Sequence, residues 1–293
     1  MTPESQSPEK SENGQSQKTI NLRRCMTHAY SRAAFWDSTS AALALAAFLL
    51  GLARAYLQLP DPWASLTLIL LGIGTFFARL RQSHHRGRSE RLKRHHEYVA
   101  GLGLPISDLT IADYRAGVSN KELAKFDKTL HGSEFATSLP VGPVRLLEQM
   151  EESAWFSEKL ATCAAWIALC VVVLASIVAF SVLYVSGLTP GSSTRWIQTA
   201  GSVVLFLITG GILTRCLKYF SFANAARDCV RALQPLLRDP ALRESAAMAV
   251  VLEYQVQRAG SPLVPSIFWR LKHRHLNELW AERQSEKDET AQR

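Results

Sequence analysis

Four long apolar segments, each separated from the next by polar or basic residues, constrain this chain most strongly. A helix needs about 20 predominantly apolar residues to cross the hydrocarbon core of a bilayer. Segments of that kind lie at 39–57, 63–80, 162–186 and 196–214. Mean hydropathy is +0.01 even though 20% of the 293 residues are charged, because apolar residues concentrate in these segments. The sequence therefore predicts an all-α membrane protein with four transmembrane helices and excludes an ordinary soluble globular protein.

The spacing of the segments predicts two helical hairpins. Pro60 and Pro62 lie in the short connection between the first two segments and forbid one continuous helix there. A Gly, Pro and Ser-rich loop at 187–195 separates the last two. We expect the first hairpin within 21–98, between a lead-in helix and a basic exit helix, and the second hairpin at 162–214.

The distribution of Lys and Arg predicts the orientation, since cytoplasmic loops of membrane proteins are rich in both. Basic residues precede the first segment and follow the second and fourth, whereas the two hairpin loops together contain only Arg195. Both termini and the stretch at 99–161 should therefore be cytoplasmic. The net charge of +8 is explained by these flanking residues, so no direct nucleic-acid binding is expected.

The polar parts of the chain predict further helices between disordered ends. Residues 1–20 and 284–293 are polar and are expected to be disordered. The insert at 99–161 should contain a short helix capped by Ser119 or Asn120, and a long helix that opens at Pro143 and continues into the third span. Residues 215–283 should form helices that project into the cytoplasm.

A basic run follows the second apolar segment and is expected to contact lipid phosphates. Its members are Arg79, Arg81, Arg86, Arg88, Arg91, Lys93 and Arg94. Two histidine pairs lie in the same run, at 84–85 and 95–96, about 16 Å apart along a helix and too far apart for one metal ion. The sequence therefore predicts that the protein binds no metal and no cofactor. The alternative is a metal site that two subunits share.

Two charged residues lie in or near the first span. Arg54 is close to its outer end and either snorkels to the interface or lines a pore or helix contact. Asp37 is at the inner mouth, as a helix N-cap, an interface residue or part of an ion site. Small residues mark a candidate packing or oligomer face. These residues are Gly72, Gly74, Gly201, Gly210 and Gly211.

The common catalytic signatures are missing from the sequence. There is no GxSxG, HExxH, GxxxxGK[ST] or GxGxxG motif. The prediction is therefore that the protein is not an enzyme.

The chain resembles the SMODS-associating four-transmembrane effectors and the wider SLATT-type membrane proteins of bacterial conflict systems. The resemblance rests on the lead-in NLRRCMTHAYSRAAFWD, the two-hairpin plan and the ending EYQVQRAGSPLVPSIFWRLKHRHLNELW. Within that ending the similar positions are Arg258, Pro262, Pro265, Asn277 and Trp280. The insert EFATSLPVGPVRLLEQMEESAWFSEKL departs from the family pattern.

The resemblance implies a pore-forming or membrane-disrupting effector of antiphage defence in the bacterial inner membrane. Such an effector would form a homo-oligomer among membrane lipids and permeabilise the membrane after a cyclic nucleotide or a partner protein signals to it. The residues alone leave two alternatives open, a constitutive small channel or transporter and a membrane-anchored scaffold or sensor.

Overall fold

Helices make up all the regular secondary structure in the part of the chain that the computed structural model describes, which is residues 8–57, 61–126, 137, 139–188, 199–203, 206, 211–238 and 244–292. Those residues contain no strand, so the predicted all-α class is confirmed for them. The helices are α1 (Pro8–Leu57), α2 (Asp61–Leu102), α3 (Asp108–Arg115), α4 (Asn120–Ala124), α5 (Pro143–Leu188), α6 (Ile212–Arg238), α7 (Glu244–Gly260) and α8 (Ser266–Gln292). A short helical stretch also covers 199–203.

Three of the described helices, α1, α2 and α5, are long and apolar enough to cross a membrane. Large apolar side chains point away from the protein along them, for example Ile69 on α2 and Leu174 on α5. Such surface is unfavourable in water and normal against lipid. Nine of the 19 residues of the fourth predicted span, 196–214, lie outside the described residues, so a fourth crossing stays a prediction.

The long helices pack in two antiparallel pairs. Between α1 and α2, the Tyr30 hydroxyl donates to Glu90 over 2.7 Å at one end. At the other end Arg54 donates to Ser65 over 3.3 Å. Between α5 and α6, Cys216 Sγ lies 3.7 Å from the carbonyl oxygen of Ala165.

The largest apolar core lies among α5, α6, α7 and α8, beyond the end of the apolar part of α5. It is built from residues such as Leu147, Met150, Phe222, Leu233 and Tyr254. The Trp155 and Trp280 rings, 5.3 Å apart, join α5 to α8 in this core. Burial of each large side chain stabilises the assembly by about 1.5–3 kcal/mol.

A smaller core joins α1 to α2 and to the short helices α3 and α4. Leu22, Cys25, Leu92 and Leu123 are buried in it. The predicted cap at Ser119 is confirmed, because its hydroxyl accepts from the backbone N–H of Glu122 and the Glu122 carboxylate accepts from the Ser119 N–H.

The tails differ from the prediction, because α1 begins at Pro8 and α8 extends to Gln292. Both extensions are rich in Glu, Lys and Gln, which favour helix, and each continues a helix that packing already stabilises.

The predicted continuous helix from Pro143 is confirmed, since α5 runs for 46 residues.

The helix α6 begins inside the fourth apolar segment, directly after Gly211. Gly211 has φ of 69°, in the left-handed region, and α6 starts immediately after it. This conformation is unfavourable for residues with a Cβ atom, so the glycine permits a break in the helix. Pro235 lies inside α6 and does not end it.

We predict that replacing Gly211 with Ala lowers the free energy of unfolding by about 1–2 kcal/mol, because alanine must adopt a left-handed conformation. Gly201 is the matched control, since it lies in a helical stretch and an added Cβ would meet nothing within 4 Å. The Gly201→Ala variant should be neutral or stabilised by up to about 1 kcal/mol. Thermal unfolding of the purified protein in detergent measures both, and equal effects would contradict the assigned role of Gly211.

Candidate functional site

A group of buried charged residues lies where α7 packs against α2, beyond the apolar part of α2. We call it the Arg258 network. It consists of Tyr30, Arg86, Glu90, Glu97, Gln255, Arg258 and Ser261.

Arg258 is the centre of the network and is only 4% exposed. Its guanidinium makes a bidentate ion pair with Glu97, with Nη1–Oε1 and Nη2–Oε2 distances of 2.7 Å and 3.0 Å. Its Nε donates to Glu90 Oε2 over 3.0 Å. The ring of Tyr254 lies 5.5 Å from the guanidinium carbon. The fixed fork of an arginine suits such planar recognition, which a lysine could not reproduce.

Glu90 is the second central residue of the network, because its carboxylate links its own helix, α2, to α1 and α7. Its Oε1 accepts from the Tyr30 hydroxyl of α1 over 2.7 Å and lies 3.5 Å from Arg86 Nη2. That same Arg86 nitrogen donates to the carbonyl oxygen of Arg258 over 2.9 Å and to Ser261 Oγ over 3.0 Å. The Arg86 guanidinium thus lies at the C-terminal end of α7, where the helix dipole favours positive charge.

The amide of Gln255 completes the network. It donates to Glu97 Oε2 over 2.9 Å and accepts from the Tyr98 hydroxyl over 2.9 Å. The two carboxylates and two guanidinium groups balance in charge, so the network carries no net charge at neutral pH. This balance is what allows four ionised groups to be buried together.

Helix periodicity positions these side chains. Arg86, Glu90 and Glu97 lie four and then seven residues apart and so share one face of α2. Gln255 and Arg258, three residues apart, face them from α7. The local sequence therefore arranges each half of the network, and tertiary packing brings the halves together.

Burial and neighbouring charges shift the pKa values of Glu90, Arg258 and Tyr30. Burial would raise the pKa of Glu90, but Arg258 and Arg86 outweigh it and hold that pKa below its ordinary value of 4.5. Burial would lower the pKa of Arg258, but Glu97 and Glu90 hold it well above its ordinary value. Burial raises the pKa of Tyr30, so its hydroxyl keeps its proton and donates to Glu90.

A second ion pair joins the two pairs of long helices. Arg215 of α6 makes a bidentate contact with Asp37 of α1, at 2.6 Å and 3.1 Å. The N-cap alternative for Asp37 is wrong, because α1 begins at Pro8 and continues through it. Asp37 instead pairs with Arg215 across the contact between α1 and α6.

The basic run on α2 is divided between protein and surface contacts. The expectation of a lipid contact is wrong for Arg86, which is buried beneath α7 and engaged in the Arg258 network. Arg88 donates to the carbonyl oxygen of Tyr114. Arg81 and Arg91 are exposed, and Arg79, Lys93 and Arg94 are half-buried.

The other predicted residues occupy separate places. Arg54 makes the α1–α2 contact described above, so it takes part in a helix contact. A Cβ added at Gly74 would lie 3.3 Å from Leu43, whereas one at Gly72 would meet nothing within 4 Å. Gly210 lies outside the described residues.

Of the five family-like positions in the ending, one belongs to the Arg258 network. Arg258 is the hub, and Trp280 is buried in the largest core. Pro262 and Pro265 frame the turn before α8, where the Tyr219 hydroxyl donates to the Leu263 carbonyl oxygen over 2.6 Å. Asn277 is exposed.

Two further cavities have charged residues in their linings. One of about 410 Å³ lies between α6 and α7 and is lined by Asn224, Asp228, Glu253 and Gln257, among others. Another of about 370 Å³ lies between α1 and α3, where its lining includes Lys18 and Arg115 as well as Asp108. Across the described ranges, no group of three or more His, Cys, Asp or Glu side chains could hold a metal ion.

Sequence reasoning missed Glu90, Glu97, Gln255 and Arg215. One signal could have found the first two, since they are carboxylates two helical turns apart in an otherwise basic run.

No protein-family model matches this chain, and no curated protein or solved structure is significantly similar to it.

We predict that Arg258→Met destabilises the protein by about 3–5 kcal/mol, because it leaves buried carboxylates without their counter-ion. Arg274 provides the matched control, since it is an exposed arginine paired with Glu278 on α8. Arg274→Met should change stability by less than about 0.5 kcal/mol. Thermal unfolding in detergent separates the two, and similar shifts would refute the importance of burial.

The lowered pKa of Glu90 predicts a pH dependence. Because its folded pKa is below 4.5, its contribution to stability is complete above pH 4.5 and is lost as the pH falls through the folded value. The stability difference between wild type and Glu90→Gln should therefore be constant near neutral pH and shrink below about pH 4.5. Unfolding temperatures of both proteins between pH 3 and 7 test this, and a constant difference would contradict it.

Proposed function

We propose that this protein is a pore-forming or membrane-disrupting effector of a bacterial antiphage defence system. In this proposal four spans form two hairpins in the inner membrane, and both termini and residues 99–161 lie in the cytoplasm. Homo-oligomers permeabilise the membrane when the cytoplasmic helices receive a signal. The resemblance to four-transmembrane effectors supports this proposal.

The observation that carries the proposal is the direct connection from α7 to a membrane-crossing candidate. The carboxylates that bind Arg258 lie on α2, the helix that also contains the apolar segment 63–80. From Glu90 to the end of that segment is about 15 Å of unbroken helix. When α7 shifts, it must either break the buried ion pairs with α2 or move α2 with it.

The ion pair between Asp37 and Arg215 supports coupling between the two hairpins. It joins α1 to α6 close to the predicted mouth of the first span. Rotation of one hairpin against the other would separate these charges. A signal that passes from α7 to the apolar segments would thus meet two charged contacts, the Arg258 network and the Asp37–Arg215 pair. Such contacts suit a gated effector better than a scaffold that only anchors the protein in the membrane.

The α6–α7 and α1–α3 cavities differ in the charge of the signalling ligand that they would bind. Asp228 and Glu253 beside the α6–α7 cavity would repel a phosphate. Lys18 and Arg115 at the α1–α3 cavity would attract one, although Lys18 is also paired with Asp108 at 2.9 Å. A cyclic nucleotide would therefore bind at the second cavity, and a partner protein is the other form that the signal could take.

Exposed apolar side chains on α2 and α5 provide the surface for contacts with lipid and with further copies of the chain. The proposal requires no metal, cofactor or nucleic acid. Gly201 fits close helix approach between subunits, because an added Cβ atom there would meet nothing within 4 Å in its own subunit.

The proposal predicts that induced expression rapidly depolarises a bacterial membrane when a partner gene that supplies the signal is expressed as well. Depolarisation is followed with a potential-sensitive dye, with insertion verified by membrane fractionation. The double variant Arg258→Met/Glu97→Met removes one ion pair and leaves Glu90 with Arg86. Because replacing both members of a buried pair with apolar residues is often nearly neutral for stability, this variant should insert normally but depolarise at least tenfold more slowly.

Arg274→Met/Glu278→Met is the matched control, since it removes an exposed pair of the same type and should depolarise like wild type. Depolarisation without the partner would favour a constitutive channel or transporter. An unchanged potential with correctly inserted wild-type protein would refute the effector proposal and favour a scaffold or sensor.

A further inference from the structure

The first two turns of α8 present a surface that is both apolar and basic. Three large apolar side chains lie within five residues there, and Ile267, Trp269 and Leu271 are 48%, 44% and 73% exposed. Arg270 and Lys272 alternate with them and are exposed as well. A cluster of exposed apolar side chains of this kind is typical of an interaction surface.

This surface is continuous with the part of α5 that faces lipid in the proposed membrane placement. Phe268 packs against a buried cluster that includes Ala164 and Ala165 of α5. The next residue, Trp166, is 56% exposed at the start of the predicted span 162–186. Lipid headgroups occupy about 5–8 Å beyond the hydrocarbon core. The first turns of α8 therefore lie at the depth of the headgroups.

The rest of α8 leads away from the membrane. The ring of Trp280 contacts Trp155, and Arg283 donates to Glu151 over 2.9 Å. Both partners precede the apolar segment of α5, and Glu151 lies about 16 Å along the helix before that segment starts. Only the beginning of α8 can therefore reach the surface of the bilayer.

The beginning of α8 also carries positive charge that the protein does not balance. Residues 261–277 include no Asp or Glu. Within the described part of the chain, the side chains of Arg270 and Lys272 have no hydrogen-bond or ion-pair partner. Arg274, further along the helix, is by contrast paired with Glu278 at 3.2 Å. The two cations at the membrane end would be complemented by an anionic surface.

We propose that the first two turns of α8 bind the surface of the bilayer that the chain crosses and concentrate anionic glycerophospholipids there. Ile267 and Leu271 enter the boundary between headgroups and acyl chains, and Arg270 and Lys272 contact lipid phosphates. Trp269 suits this depth, because tryptophan is enriched at membrane interfaces. The inference rests on the proposed membrane placement and does not require pore formation.

Fluorescence quenching in lipid nanodiscs tests the inference on the full chain. A fluorophore is attached at Leu271→Cys in a Cys163→Ala/Cys170→Ala background, because the other three cysteines are buried. The nanodiscs contain phosphatidylcholine with a small fraction of nitroxide-labelled phosphatidylglycerol or, separately, nitroxide-labelled phosphatidylcholine. Both labelled lipids should quench the fluorophore. Phosphatidylglycerol should be locally enriched about fivefold or more, since one basic residue near an anionic surface contributes about that factor.

Two further label positions calibrate the measurement. Leu279→Cys is the matched control, since Leu279 is also an exposed leucine of α8 and lies about 12 Å further along the helix. Its fluorophore should be quenched much less by either lipid. Leu174→Cys reports insertion, because Leu174 is exposed within the third predicted span and should be quenched by both.

Charge variants test the role of the two cations. Arg270→Gln/Lys272→Gln should abolish the preference for phosphatidylglycerol at the Leu271→Cys label. Arg274→Gln/Glu278→Gln is the matched control, since it removes an exposed ion pair from the same helix without changing the net charge. This control should keep the preference.

Equally weak quenching at the Leu271→Cys and Leu279→Cys labels, with quenching at Leu174→Cys, would overturn the inference and leave the membrane placement intact. Absence of quenching at Leu174→Cys would overturn the placement and the inference together. Equal quenching by the two lipids in the wild-type charge background, or a preference that persists in Arg270→Gln/Lys272→Gln, would overturn the selection of anionic lipid by these cations. The measurements use isolated protein, so they are independent of whether the chain depolarises a membrane.

Discussion

The guanidinium of Arg258 is almost completely removed from water, and two carboxylates of α2 allow it to stay charged there. A buried charge without partners would cost several kcal/mol, so neither half of this network is stable without the other. The bidentate contact with Glu97 also fixes the rotation of α7 about its own axis, because a planar fork can meet a planar carboxylate in few orientations. This contact and the side chains of α7 in the largest core, such as Val251 and Tyr254, together set the position of α7.

The same principle operates nearer the apolar segments. Asp37 and Arg215 form a balanced pair between α1 and α6. Apolar packing tolerates sliding and rotation of one helix against another, whereas paired charges select one arrangement. The charged contacts therefore set the relation between the long helices, and the apolar surfaces between them are left to contact lipid or further subunits.

Much of the helical layout could be predicted from local sequence. The capping of α4 by Ser119 and the opening of α5 at Pro143 follow from interactions within a few residues. The break at Gly211 could not be predicted in this way, because glycine is also common inside membrane helices and only its neighbours decide whether it adopts a positive φ. The helical tails were missed for a related reason, since polar residues become helical when they extend a helix that packing stabilises elsewhere.

The sequence by itself determined that apolar helices of membrane-crossing length exist and that basic residues border them, because length, hydropathy and charge are properties of continuous stretches of chain. Only the tertiary structure decided which charges meet. Arg86 belongs by sequence to a lipid-facing basic run, yet α7 covers it, and Arg258 lies 168 positions from the Glu90 carboxylate that it binds. Contacts across such separations depend on how helices pack in three dimensions, and no local pattern in a single sequence encodes that packing.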